Sequence, residues 1–157
     1  MKPLPDRLDN LVTSLEDLER NERMQMLIDI AKSYPRVPER IARRPYPAEH
    51  RVPGCESDAY VWAEPQPGGA LKYYFAVENP QGISAMALSA ILGKTLSGIP
   101  PEQIDSVPSD VVYRIFGNEL SMGKSLGLMG IVNMVRAAAR RTPSGGEAVL
   151  PGKTQPQ

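Results

Sequence analysis

The chain holds one cysteine, Cys55, and one histidine, His50, among its 157 residues. A cysteine–histidine hydrolase needs a general base beside its thiol. His50 lies only five residues away across a proline, on the same stretch, whereas such pairs are brought together from separate elements. Thioredoxin-type exchange needs a second, resolving cysteine, and a cluster scaffold needs about three or four ligands. Neither set is present, and a multi-cysteine zinc site is excluded in the same way. A lone cysteine can still be a one-site carrier. It attacks a sulfur held by a partner, keeps it as a persulfide and yields it to the next thiol.

The competing reading is a buried cysteine that only fills core. The local sequence Val52-Pro53-Gly54-Cys55-Glu56-Ser57 argues against it, because Gly, Glu and Ser are unusual company for a core residue. Gly54 permits positive φ and close approach by another molecule. Three glycines, Gly123, Gly127 and Gly130, fall on nearly one face of a later helical stretch, where each costs about 1 kcal/mol relative to alanine. They leave room for another backbone, and the loop carrying Cys55 is the expected occupant. The arginines Arg36, Arg40, Arg43, Arg44 and Arg51 form a basic cluster that reads first as a solvated face. Tyr60, Trp62 and Phe75 read as core rather than as a ligand box.

The elements that must position Cys55 follow from periodicity. Leu8, Leu11, Val12, Leu15 and Leu18 recur at helical spacing, as do Met24, Leu27, Ile28 and Ala31. The stripe falters over residues 17–21, so two helices are expected, the second ended by Pro35. Residues 35–53 hold five prolines and read as an ordered loop with one helical turn near residues 39–43. Residues 59–63 and 71–77 have strand character around the turn chemistry of residues 65–69, which makes a β-hairpin. In the second strand Leu71, Tyr73, Phe75 and Val77 alternate with Lys72, Tyr74 and Ala76, the period of a half-buried strand. Asn79-Pro80 should cap and open a helix with Ile83, Ala87, Ala90 and Ile91 inward. Residues 93–101 then read as a linker, residues 101–104 and 109–116 as short helices, and residues 121–141 as a last helix with Leu128, Ile131, Val132 and Val135 inward. The expected fold class is α+β, a small antiparallel β-sheet packed against several helices on one face.

Composition narrows the function classes. Lys plus Arg and Asp plus Glu both total 18, so no global basic field gathers nucleic acid or anionic membrane. No stretch approaches the ~20 apolar residues of a membrane helix. The first residues resemble neither a signal peptide nor a transit peptide, and a cytoplasmic protein without nucleic-acid or membrane partners is expected. Residues 1–141 should form one domain, with residues 142–157, rich in Pro, Gly, Ser and Gln, as a disordered tail.

The run from Arg51 to Trp62 resembles the SufE family, whose signature is a Gly-Cys-Gln-Ser turn before a Val- and Trp-rich strand. Three further segments are similar in order: Leu27-Ile28-Asp29-Ile30-Ala31-Lys32, Pro101-Glu102-Gln103-Ile104, and Leu120-Ser121-Met122-Gly123-Lys124-Ser125-Leu126-Gly127-Leu128. The resemblance runs from about Leu8 to Arg140. It implies a SufE/IscU-like fold and a sulfur-transfer accessory protein rather than an independent enzyme. Cys55 matches the acceptor that takes persulfide sulfur from a PLP-dependent, SufS-like cysteine desulfurase and stimulates that enzyme. The sulfur then passes to a downstream iron–sulfur scaffold. PLP would belong to the partner, leaving this chain only a transient cysteine persulfide and neither metal nor resident cofactor. Gly54, Glu56, Ser57, Lys124 and Gly127 would bind the partner or support the loop.

Two positions depart from the family pattern. Glu56 replaces Gln and puts a negative charge beside the thiol, which disfavours the thiolate. Lys124 replaces Arg, keeping the charge without the planar fork; it reads equally as a plain residue of a first helical turn. A second function class stays open beside the carrier, a regulatory module that activates a desulfurase by docking, with Cys55 incidental.

Overall fold

The computed structural model describes residues 4–118 and 120–141. Helix α1 spans Asp6–Glu16 and α2 spans Arg20–Ala31. Leu8, Val12 and Leu15 share one face of α1 and are fully shielded from solvent. The break falls at residues 17–19, where the apolar stripe lapses. In α2 only Leu27 and Ala31 enter the core, whereas Met24 and Ile28 of the expected stripe stay exposed. Pro35 does not end this helix directly; α2 stops at Ala31, and residues 35–37 run beside a strand instead.

Strands β1, Ala59–Pro65, and β2, Leu71–Val77, form the antiparallel hairpin, paired from Ala59 with Val77 to Pro65 with Leu71. Gly68 and Gly69 supply the left-handed φ values its turn requires. On the free edge of β2, the Phe75 N–H donates to Pro35 O at 3.0 Å and the Val37 N–H donates to Phe75 O at 2.8 Å. Leu71, Tyr73, Phe75 and Val77 face the helices, as their alternation implies. Tyr74 and Ala76 are also buried, which corrects the half-buried expectation. The segment after Val37 folds over the outer face and covers them in a second small cluster with Val37 and Trp62. Part of the basic cluster fastens this cover, through Arg40 to Glu64, Arg44 to Glu78 and Arg51 to Asp58. The expected helical turn in this segment is present as Ile41 and Ala42 N–H groups donating to Pro38 O.

Helix α3, Ile83–Leu96, is the central helix, and most of its residues are buried. It opens later than the Asn79-Pro80 signal suggests. The Asn79 side chain accepts the Gln81 N–H at 2.9 Å and builds a turn instead of a cap. Ile83, expected inward, is exposed. Gly93 begins no linker, since it sits inside α3 against Pro35 and Phe75. A Cβ there would lie 2.5 Å from Pro35 Cγ and 3.3 Å from Phe75 Cε1. Overpacking costs about 1–3 kcal/mol, against a propensity gain of about 1 kcal/mol. Gly93→Ala should therefore lower the urea midpoint, and a raised midpoint would show that Pro35 yields to the methyl group.

Short helices α4, Pro101–Ile104, and α5, Val111–Phe116, precede the long α6, Met122–Arg140. Ser121 caps α6, its hydroxyl accepting the Lys124 N–H at 3.2 Å. Leu128, Ile131, Val132 and Val135 are buried as their spacing requires. Arg114 donates two hydrogen bonds to Glu16, tying α5 to α1 and holding the Glu16 carboxyl below the usual carboxylate range. The main core draws on all six helices and both strands. The chain is thus α+β, with helices on the inner face of a two-stranded antiparallel sheet. No helix among the described residues is long and apolar enough to cross a membrane. The expectation of a disordered tail over residues 142–157 lies outside the described residues.

Candidate functional site around Cys55

Two residues with left-handed backbone shape the loop before β1, Gly54 at φ +71° and Asp58 at φ +50°. A Cβ on Gly54 would meet nothing within 4 Å, so the site needs its conformation rather than its small size. Between them the Cys55 N–H donates to Val52 O at 3.4 Å, and the Asp58 N–H donates to Cys55 O at 3.2 Å. The base of the loop is closed by the Val52 N–H donating to Ala59 O at 2.8 Å. The end of β2 holds its far side. The Glu78 N–H donates to Asp58 O, the Asn79 N–H to Ser57 O, and the Asn79 side-chain amide to Glu56 O.

The loop lies antiparallel along the start of α6. A Cβ on Gly130 would sit 2.8 Å from Val52 Cγ1, and one on Gly127 would sit 3.3 Å from both Cα and Sγ of Cys55. One on Gly123 would be 3.8 Å from a Glu56 carboxylate oxygen. The three helix glycines thus face the Cys55 loop, and the space they leave is what admits its backbone. Cys55 itself is 6% exposed.

Beside Cys55 lies a cavity of about 60 Å³ that Ser57, Gly82, Ser84, Lys124 and Gly127 help to line. Glu56 lies on the same lining, so an acidic and a basic residue both border the cavity beside Cys55. On its other side the loop borders an open recess of about 450 Å³ next to Arg51, Pro53 and Gly54. The loop is held inward by one helix and one strand end, with space on its outer flank.

The structure brings Cys55, Glu56, Ser57, Lys124 and Gly127 onto one cavity, with Gly54 at the turn beside it. His50 is not part of that cavity. Its Nδ1 lies 2.9 Å from Val61 O and its ring stacks on Trp62, so His50 is not positioned as the base of a cysteine hydrolase. Gly82 and Ser84 are additions that sequence reasoning missed. A Cβ on Gly82 would sit 2.9 Å from the Ser57 Cβ, so glycine is what lets the start of α3 close against the loop. The Asn79-Pro80 signal falls just before them, but it pointed to a helix start rather than to a wall of the site. Among the described residues no group of three or more His, Cys, Asp or Glu is placed to hold a metal ion.

Comparison with known proteins places this architecture. The family model described as "SufE: Fe-S metabolism associated domain" matches residues 9–139. The chain is similar to the cysteine desulfuration protein SufE of Plasmodium vivax, at 30% identity over 104 residues. That match covers 66% of this chain and 43% of the relative, so it spans less than half of the relative's length. The fold is similar to the solution structure of a hypothetical protein from Thermus thermophilus, with a TM-score of 0.72 and 25% identity. That similarity covers 88% of this chain and 97% of the other. The family match runs from α1 to the end of α6 and includes the Cys55 loop, and the chain belongs to the SufE family of domains associated with Fe–S metabolism.

Proposed function

We propose that Cys55 accepts sulfane sulfur from a PLP-dependent cysteine desulfurase and passes it on for iron–sulfur cluster assembly. The reading rests on one observation above the others: the chain's lone thiol is shielded, with vacant space beside it. A water-sized guest needs about 10–15 Å³ of such space, and the cavity offers about 60 Å³. One added sulfur atom fits next to Sγ without unfolding the loop. The name of the Plasmodium relative, a cysteine desulfuration protein, points to the same chemistry.

The transfer is redox-neutral. The Cys55 thiolate attacks the terminal sulfur of a persulfide on the partner's cysteine. A new S–S bond forms at Cys55, the partner's S–S bond breaks, and the partner's cysteine leaves as a thiolate. The proton released from Cys55 balances the one that thiolate takes up. An acceptor thiol repeats the exchange on the Cys55 persulfide and regenerates Cys55. The loop must swing outward for either attack, because Cys55 is buried, with 6% of the residue exposed. Such local opening costs far less than global unfolding. Between transfers the closed loop keeps a persulfide from small reductants and oxidants. Lys124 and Glu56, on the cavity lining, together with Gly54, Ser57 and Gly127, form the surface that meets the partner or supports the loop.

Incubation with a desulfurase and free L-cysteine should add the mass of one sulfur atom to the chain, on the peptide containing Cys55. Absence of that mass beside a desulfurase that is turning over would refute the acceptor role.

A further inference from the structure

The Cys55 loop is flanked by residues of opposite charge, and the two meet. The Arg51 guanidinium donates to the Asp58 carboxylate, pairing the residue before the loop with the one that closes it. Arg51 is also fixed by its backbone, which bridges to Tyr60 of β1. Among the described residues Asp58 alone, apart from glycines, has a left-handed backbone, at φ +50°. Aspartate enters that region more readily than most residues, but it stays there only with support from its surroundings. The support is visible. The Asp58 N–H donates to Cys55 O at 3.2 Å, Asp58 O accepts the Glu78 N–H at 3.0 Å, and the side chain takes Arg51. The first of these bonds bends the chain back at Cys55 itself. An outward swing of Cys55 breaks it, releases Asp58 from its left-handed backbone and turns the carboxylate away from Arg51. Arg51 also borders the recess of about 450 Å³ on the loop's outer flank, the space open to that swing.

We propose that Arg51 and Asp58 are a positioning pair that clasps the Cys55 loop shut, and so sets how readily the thiol is loaded and how long it keeps its sulfur. The consequence for sulfur rests on the acceptor reading; the clasp does not. Neither residue lines the cavity beside Cys55, so the pair acts on the sulfur through the loop. Both side chains are about half exposed, Arg51 53% and Asp58 47%. Pairs of that exposure contribute little and are screened by salt. A weak clasp suits a loop that must open at each transfer, whereas a buried pair is far more costly to part. The two charges also separate a clasp from a field acting on the thiol. As a field, Arg51 favours the thiolate and Asp58 disfavours it, so removing them changes reactivity in opposite directions. As a clasp, losing either residue opens the loop and changes reactivity in the same direction.

The test is the rate at which a bulky, uncharged maleimide labels Cys55 in Arg51→Met, Asp58→Asn and the double variant. Asparagine keeps the tolerance for a left-handed backbone and removes the charge. Each single variant should label about two- to fivefold faster, the range expected for loss of an exposed pair. The double variant should label no faster than the faster single one, because both substitutions remove the same interaction. Arg51→Lys, which keeps the charge, should stay closer to the unsubstituted chain. Raising ionic strength from about 0.01 to 1 M shortens the screening length from about 30 to 3 Å. It should speed labelling of the unsubstituted chain and leave the double variant nearly unchanged. Arg114→Met removes a comparable pair with Glu16 that joins α5 to α1. It should leave labelling unchanged, which sets aside a general loss of stability. A persulfide on Cys55 should be lost to a small reductant faster in the clasp variants, in step with their labelling. Opposite shifts in Arg51→Met and Asp58→Asn would assign the effect to the charges alone and overturn the clasp. So would unchanged rates in both, or an equal acceleration in Arg114→Met. A chain that a working desulfurase never loads would defeat the acceptor reading, and the labelling rates would still decide the clasp.

Discussion

Cys55→Ser and Cys55→Ala should take up no sulfur from a desulfurase that loads the unsubstituted chain. Serine nearly matches the shape of cysteine, but its hydroxyl is neither ionised near neutral pH nor a soft nucleophile toward sulfur. Its oxygen would enter a site where Cys55 as a residue is 6% exposed. A buried hydroxyl without a partner costs about 1–3 kcal/mol, so the serine variant should melt somewhat earlier. The alanine variant adds no polar atom and controls for that loss. These variants also separate a carrier from a docking module. With a reductant present, desulfurase turnover can be followed as alanine released from L-cysteine. If Cys55 carries the sulfur, acceleration of the desulfurase by this chain should fall to background in both variants while binding persists. Undiminished acceleration by Cys55→Ala would assign the effect to docking.

The parts of this fold that were legible in the sequence are those whose information is local. Leu8, Val12 and Leu15 repeat at helical spacing on α1 and are fully shielded. The last helix was expected over residues 121–141 and runs over Met122–Arg140. The hairpin is written in Leu71, Tyr73, Phe75 and Val77 and in the glycines of its turn. What was not legible depends on distant segments. Tyr74 and Ala76 looked outward until residues after Val37 covered them. Gly93 looked like a linker start, because nothing in its neighbourhood announces Pro35 and Phe75. Met24 and Ile28 matched the core pattern of α2 yet stay exposed, since periodicity identifies a face without saying what covers it.

The same division runs through the site. A lone cysteine between Gly54 and Glu56 marked the loop, and three glycines in a helix interior marked a helix that something approaches closely. Their juxtaposition was an inference about tertiary packing, and the backbone now provides its distances. Gly82 and Ser84 carried no comparable signal. They reach the cavity only because Asn79 turns the chain before α3 begins and because the Asn79 side chain holds Glu56 O. The same geometry decides what His50 does. Its closeness in sequence to Cys55 already argued against a catalytic pair, and the ring is spent on Val61 and Trp62.

Gly127→Val should convert Cys55 from a slowly labelled thiol into a rapidly labelled one while α6 stays folded. An alanine Cβ at this position would stand 3.3 Å from both Cα and Sγ of Cys55 and 3.5 Å from its Cβ. Those contacts already press on the loop, and the two further methyl groups of valine would enter the space beside Sγ. Helix α6 cannot retreat easily, because Leu128, Ile131 and Val132 anchor it in the core. The loop can move, since its outer flank borders an open recess. Overpacking of about 1–3 kcal/mol, relieved by opening, raises the open population about 5- to 150-fold. Labelling by a bulky maleimide should accelerate by a factor in that range, and Gly127→Ala should show a smaller increase. Replacing glycine within a helix also recovers some of its propensity cost of about 1 kcal/mol, which favours retention of helical circular dichroism. Sulfur retention should move the opposite way. A persulfide formed on the valine variant should be lost to a small reductant faster than one on the unsubstituted chain, because the cavity that shields it is filled. Equal labelling rates in all three proteins would show that Gly127 does not hold the loop closed. Rapid labelling with unchanged persulfide lifetime would show that the cavity does not protect the bound sulfur.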